Sequence, residues 1–228
     1  MPWQRWIRTV EIEPSLYAAD FSVLGEQVDV LLRAGARVFH FDVGDGHFVE
    51  PVTIGPIVLH SIAPVVHRYE SSAIDVHLMV EEPTRYFEPV ASAGGDSVTF
   101  HYEAVEDVPA TIGAARAHGL QVGVAFNPET EPEEVAAAAA AGGADLVLCM
   151  SIHPGYSGLP FREETYGRIR RLRLALPPEI QIQVDGGVGP DNIRRLHDVG
   201  VRLFVAGSSI FGREDLPRAY RRLVQALA

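Results

Sequence analysis

The sequence predicts an α/β protein, a single (β/α)8 TIM barrel that takes residues 1–228 as one domain. Three observations predict it. Eight short runs of β-branched and aromatic residues alternate with eight segments of helical period. Each strand–helix unit takes about 25–30 residues, as barrel units do. No long linker, low-complexity tract or shift in composition interrupts the series. A doubly wound open sheet shares the alternation, but eight units in so short a chain favour closure.

The elements follow in order. Residues 11–16 read as a short strand broken by Pro14, with Ser15 near its end. Residues 20–34 read as a helix, because Phe21, Leu24, Val28, Leu31 and Leu32 keep the helical period and Gly35 stops it. The second strand is 38–42, and a helix begins at Pro56 and runs to about residue 62. Strand 74–79 precedes helix 83–93, which carries Pro83 in its first turn. Strand 97–101 precedes helix 108–118, closed by Gly119. Strand 121–126 turns at Asn127-Pro128 into helix 131–141, whose first turn is acidic. Strand 146–150 is followed by a longer loop, 151–160, and a basic helix, 162–176. Strand 181–184, helix 191–199, strand 203–206 and helix 213–227 complete the series. The arginine-rich face of 162–173 is expected to be solvated, because its arginines recur too often to form one binding stripe.

Composition removes several classes of function. The formal net charge is −11, which argues against nucleic acid, because such binding depends on cations neutralising phosphates. An anionic substrate must then be held by local dipoles and not by the overall field. All 19 basic residues are arginine, so Schiff-base aldolase chemistry and any decarboxylase built on a catalytic lysine are excluded. The one cysteine, Cys149, sits in an apolar run and reads as a small buried hydrophobe, and no intramolecular disulfide can form. Residues 1–8 lack the apolar core of a signal peptide, and no apolar stretch is long enough to span a bilayer. The expected location is cytoplasmic, without a membrane partner.

The stretch 38–49 carries the chemistry. Residues two apart in a strand share a face, so His40 and Asp42 emerge side by side, just before Gly44-Asp45-Gly46 breaks the strand. One imidazole beside one carboxylate is half of a metal site. His77 ends the third strand and Asp185 the seventh. A barrel gathers such strand ends at one face, where active sites lie. Glycine-bearing loops follow the last three strands: Gly155-Tyr156-Ser157-Gly158, Gly186-Gly187 and Gly207-Ser208. Barrels bind phosphate in these loops, where backbone N–H groups can approach it.

These residues resemble the ribulose-phosphate 3-epimerase family. The matching stretches are Pro14-Ser15, His40-Phe-Asp42-Val-Gly-Asp45-Gly46-His47-Phe48-Val49, Asp75-Val-His77-Leu-Met79, His101-Tyr-Glu103, Asn127-Pro128, Met150-Ser-Ile-His-Pro154-Gly155, Val184-Asp185-Gly186-Gly187 and Ala206-Gly207-Ser208. The resemblance implies a metal-dependent barrel that inverts carbon 3 of a ketopentose 5-phosphate. It implies His40, Asp42, His77 and Asp185 as ligands of one divalent ion, with zinc, iron(II), manganese and cobalt all compatible. It implies Asp42 and Asp185 as the acid/base pair. Ser15 and His77 would touch substrate, and Gly155, Tyr156, Ser157, Gly158, Gly186, Gly187, Gly207 and Ser208 would hold the phosphate. His47, His101 and His153 lie near the mouth in lesser roles. The expected partner is a small ketose phosphate, and the expected assembly a homo-oligomer.

Three departures concern the pocket wall. The family usually has methionine where this chain has Gly44, Val-Pro-Asn where it has Val49-Glu50-Pro51, and Gly-Phe-Gly-Gly-Gln at residues 155–159. Glycine at 44 leaves a space beside the metal-bound carbons or lets the loop relax into it, and Tyr156 and Leu159 are candidates to close such a gap; left open, it admits a larger or differently substituted sugar. A 3-epimerase of another ketose phosphate, such as allulose 6-phosphate, and a silent phosphosugar-binding barrel stay open as alternatives.

Overall fold

A computed structural model describes residues 9–228; the signal-peptide reading of residues 1–8 lies outside them. Eight parallel strands form one sheet: β1 (Glu11–Pro14), β2 (Val38–Gly44), β3 (Ala73–Met79), β4 (Ser97–His101), β5 (Gln121–Phe126), β6 (Leu146–Met150), β7 (Gln181–Asp185) and β8 (Leu203–Ala206). Their order is β1-β8-β7-β6-β5-β4-β3-β2, and a parallel bridge between Ser15 and His40 brings the two edges together. The barrel is therefore closed at the residues singled out as its site.

Helices cover the outside: α1 (Leu24–Ala34), α2 (Pro56–Val66), α3 (Phe87–Ala93), α4 (Val108–Arg116), α5 (Pro132–Gly142), α6 (Thr165–Ala175), α7 (Ile193–Asp198), α8 (Ser208–Phe211) and α9 (Leu216–Leu227). Most strand residues are fully buried, as both faces of a barrel sheet require. Outward residues such as Phe39, Phe41, Phe100 and Phe204 pack under the helices. Inside, Leu146, Leu148, Met150 and Leu203 fill the centre with Val38 and Ala73. Among the described residues no helix is long and apolar enough to cross a membrane.

The boundaries differ at helix starts. Residues expected in α1 and α3 open as 3-10 turns, Phe21–Val23 and Pro83–Tyr86, and Asp20 caps the first by accepting from Ser22 N–H. The four-residue α8, after β8, was not expected as a separate element, because one turn of helix is too short to show a period.

The solvated reading of the 162–173 face fails at Arg168, which is 8% exposed. Its guanidinium lies over the Phe126 ring at 4.7 Å. It donates to Met150 O (2.9 Å), Asn127 O (2.6 Å) and Thr130 O (3.3 Å), and so ties α6 to the ends of β5 and β6.

Candidate active site

Parallel register assembles the site. Asp42 on β2 pairs with His77 on β3, His40 with Asp75, and Met150 on β6 with Asp185 on β7. All these side chains except the exposed edge of Asp185 are buried. His40, Asp42, His77 and Asp185 each bring one ligand atom within 4.8 Å of the others. His40 Nε2 stands 3.2 Å from Asp42 Oδ1, and His77 Nδ1 stands 3.1 Å from Asp42 Oδ1 and 4.0 Å from Asp185 Oδ2. The Ser15 hydroxyl donates to Asp42 Oδ2 at 2.7 Å.

These residues fit a divalent cation. His40 Nε2 is fully buried and has no hydrogen-bond partner, and its contact with Asp42 lies outside hydrogen-bond geometry. A buried nitrogen without a partner costs free energy unless something occupies its lone pair. Its other nitrogen, Nδ1, is 3.0 Å from Asp75 Oδ2, the imidazole–carboxylate pairing that orients metal-binding histidines. Asp75 in turn accepts from Ser97 Oγ (2.6 Å) and Gln183 Nε2 (2.8 Å), and Gln183 also donates to Glu13 at 2.7 Å. Glu13, His40 and Asp75 also lie close enough to suggest a cation, but the Gln183 amide hydrogens point at both carboxylates, and a cation would meet donors there.

The two aspartates differ in the metal-free protein. Burial pushes the Asp185 carboxyl up to about 7, and the nearby Asp42 charge adds to this. Burial also opposes ionisation of Asp42, but the positive charge of His40 and the closeness of both imidazoles outweigh it and hold Asp42 well below the usual carboxylate range. Deeper in the barrel, burial raises Glu13 to about 8.

Above this floor lies a cleft. It is lined by Ser15, Asp42, Gly155, Tyr156, Ser157, Gly158, Asp185, Gly186, Gly187, Gly207 and Ser208, every residue expected to touch substrate except His77. His77 is fully buried beneath the cleft, as is His40. Tyr17, Met79, Met150, Ile152, Val188 and Val205 complete the lining with largely apolar surface. Backbone approach is tight at Gly187, which has a φ of 62°. A Cβ there would stand 2.7 Å from Phe161 N, so only glycine keeps this loop closed over β7. Near Gly207 a Cβ would lie 3.5 Å from Ser157 Oγ, so the loops after β6 and β8 meet at one end of the cleft.

At Gly44 the loop relaxes into the space, and no volume is left for Tyr156 and Leu159 to close. A Cβ on Gly44 would stand 2.9 Å from Pro51 O and 2.9 Å from Val49 Cγ2, so residues 49–53 themselves occupy the space. Tyr156 and Leu159 stay 47% and 41% exposed, and Tyr156 Oη donates to Glu50 Oε2 at 2.6 Å. Gly44→Ala is accordingly expected to destabilise the protein by about 1–3 kcal/mol through overpacking. A lowered Tm by calorimetry checks it, and an unchanged Tm would show that the loop yields freely.

Residues 11–211 match the family model described as the ribulose-phosphate 3 epimerase family. The chain belongs to this family. As a ribulose-phosphate 3-epimerase family member it is an isomerase acting on carbohydrate phosphates. It is 38% identical over 221 residues to the ribulose-phosphate 3-epimerase of Escherichia coli strain K12, covering 95% of this chain and 96% of that protein. It is 40% identical over 208 residues to that of Serratia marcescens, covering 90% and 96%. Ribulose-phosphate 3-epimerase 2 of Cupriavidus necator is 37% identical over 227 residues, covering 96% and 92%. Among solved structures, 3-hexulose-6-phosphate synthase from Salmonella typhimurium superposes with a TM-score of 0.69 at 17% identity, covering 95% of this chain and 98% of that one. Orotidine 5'-phosphate decarboxylase from Pyrococcus horikoshii gives 0.69 at 14%, also covering 95% and 98%. At such identity these structures share the barrel alone.

Three buried polar groups lie beneath the His40–Asp42–His77–Asp185 cluster and were not expected there. Glu13, Asp75 and Gln183 each lie two positions before an expected site residue, Ser15, His77 and Asp185. The two-residue strand pitch that paired His40 with Asp42 would have placed them on the inward face as well. His101, expected near the mouth, is fully buried against His77.

Proposed function

We propose that the protein is a metal-dependent 3-epimerase that interconverts D-ribulose 5-phosphate and D-xylulose 5-phosphate. The observation that carries this reading is one cleft with a His40–Asp42–His77–Asp185 floor and three glycine loops along its side. The names of the relatives support the substrate. His40 through Nε2, His77 through Nδ1, Asp42 and Asp185 would hold one divalent ion, with zinc, iron(II), manganese and cobalt all suited to the donor set. Such an ion supplies Lewis-acid stabilisation of negative charge developing on the oxygens at C2 and C3.

The chain's own residues do the rest. Inversion at C3 needs one group to remove a proton from one face and another to deliver a proton to the opposite face. Asp42 on β2 and Asp185 on β7 enter the cleft floor from strands separated in the sheet by β1 and β8, so they address the substrate from two sides. Their opposite shifts leave one carboxyl ready to give a proton and the other ready to take one. Ser15 orients Asp42 by donating to Oδ2. Met79, Met150 and Val205 form apolar walls that limit water beside the carbanion-like centre. The N–H groups around Gly186, Gly187, Gly207 and Ser208 bind the phosphate without a lysine or arginine in the cleft lining.

The same reading takes residues 1–228 as one domain acting in the cytoplasm as a homo-oligomer, with a small ketose phosphate and no nucleic acid or membrane as partner. The test is a panel of ketose phosphates in deuterated water, followed by NMR. Deuterium is expected at C3 of ribulose 5-phosphate, with loss of exchange on chelation and recovery on adding back metal. Exchange confined to allulose 6-phosphate would move the substrate to a hexulose. Absence of C3 exchange in every sugar of the panel, with metal bound, would end the epimerase reading of this site.

A further inference from the structure

We propose that His101 and Glu103 are positioning residues for His77, fixing its proton on Nε2 so that Nδ1 presents a lone pair to the ligand cluster. The inference rests on the reading of His77 as a ligand and adds the device that prepares it.

His101 ends β4 and is fully buried. Its ring stacks on His77 with centroids 5.0 Å apart and planes 22° from parallel. The two Nε2 atoms are 2.9 Å apart, so one must donate and the other accept. On the far side of His101, Nδ1 is 3.3 Å from Glu103 Oε2. On the far side of His77, Nδ1 faces Asp42 Oδ1 at 3.1 Å. With both rings neutral, only two proton arrangements place one hydrogen between the two Nε2 atoms. In one, His77 Nε2–H donates to His101, His101 Nδ1–H donates to Glu103, and His77 Nδ1 is free to ligate. In the other, every proton is shifted and His77 Nδ1–H points at Asp42. The second arrangement sets the bare His101 Nδ1 against Glu103 Oε2, as the first sets the bare His77 Nδ1 against Asp42 Oδ1; a cation between His77 and Asp42 would relieve the first clash, and nothing relieves the second.

Glu103 is held as a carboxylate, which selects the first arrangement. Its Oε1 accepts from Asn127 N–H at 2.8 Å and from the Thr130 hydroxyl. The carbonyls of those same two residues accept from Arg168 Nη2, at 2.6 and 3.3 Å. A buried guanidinium and a half-buried carboxylate thus fasten the same two residues, the first through their carbonyls and the second through the Asn127 N–H and the Thr130 hydroxyl. The line runs from α6 through the β5 loop to a ligand atom, a route no pairing within one strand would reveal. Orientation of a metal-binding imidazole by a hydrogen-bonded partner usually alters metal affinity by about 10–100-fold.

The experiment titrates metal-free full-length protein with Co2+ alone, reading the visible ligand-field band and the heat of binding. Glu103→Gln keeps shape but reverses the line. Its amide oxygen stays with Asn127 N–H, and its amide nitrogen donates to His101, which drives the His77 proton onto Nδ1. Co2+ affinity should fall about 10–100-fold, with a changed ligand-field band. His101→Met removes the acceptor and should fall comparably. His101→Gln keeps a carbonyl oxygen within reach of His77 Nε2 and should retain affinity within about fivefold of wild type. A role in packing alone predicts the reverse order for the His101 variants, because a buried methionine is tolerated and a buried carboxamide is not. Thermal unfolding of the metal-free variants separates the two orders. Co2+ affinities for Glu103→Gln and His101→Met within about threefold of wild type would overturn the proposal while leaving the ligand cluster standing. A wild-type protein that binds no Co2+ would overturn both.

Discussion

Asp185→Asn is expected to lower kcat by about 10²–10⁴-fold, the usual contribution of a placed acid/base group. The carboxyl closes β7 at the cleft floor, and in the metal-free protein burial pushes it up to about 7. The substitution should leave the barrel intact. The bonds that fasten this position run through its backbone: Ser151 N–H donates to Asp185 O at 2.8 Å and Ser151 Oγ donates at 3.0 Å. Asparagine has the same shape and loses only the charge and the proton. Because Asp185 is also proposed as a metal ligand, metal content must be measured beside turnover. Two results would be consistent with the proposed roles: lost metal with lost turnover, or retained metal with lost turnover, the latter isolating the acid/base role. Turnover within about tenfold of wild type, with metal bound, would remove Asp185 from the pair. Circular dichroism should be unchanged in either case.

In the metal-free protein, stability is expected to fall as pH rises from about 6.5 to about 8. The sign follows from the groups in turn. Asp185 and Glu13 have folded pKa values of about 7 and about 8, above their model values of 3.8 and 4.5. The folded state holds their protons where the unfolded state has released them, so their stabilisation is lost as pH rises through those values. His40, raised by the Asp42 charge against the opposing effect of burial, also loses its contribution at rising pH. His77 and His101 are lowered by burial, the latter to about 4, so their contributions are lost as pH falls below about 6.5. Asp42 and Asp75 are held low, and theirs are lost only in acid. At pH 6.5 the two lowered histidines still oppose the trend at about half strength and this fades by about pH 7.5, so the downward trend from Asp185, Glu13 and His40 prevails. A bound cation favours the ionised carboxylates and should flatten or reverse it. The measurement is Tm with and without metal at pH 6.5 and pH 8.5, where the gap should widen with pH. Equal Tm values with and without metal at both pH values would mean that these four residues hold no ion.

Much of this protein was legible one segment at a time. The eight strands and most of the helices are set by periods of two and 3.6 residues, which act within a single stretch of chain. His40 and Asp42 share a face because the strand pitch requires it, and the glycines at 186, 187 and 207 mark tight loops wherever those loops lie. Hence the barrel was expected, and the structure brings together the four side chains proposed as ligands and, His77 apart, the residues proposed to touch substrate.

Only the tertiary structure decided the rest, because it depends on which distant segments meet. Gly44 reads as missing bulk in one strand, yet Pro51 and Val49 fold back into that space, a closure set by the path of the loop after β2. Arg168 looks like one of several solvated arginines along 162–173, yet the ends of β5 and β6 close over it and supply three carbonyls. His101 meets His77 because β3 and β4 are neighbours in the sheet, and Glu103 meets Asn127 because the β5 loop turns back towards β4. The residue types offered the donors and acceptors. Their pairing required the parallel register of separate strands and the loops above them, since a hydrogen bond needs its partners within about 3 Å and well aligned, and local periodicity carries no such distance.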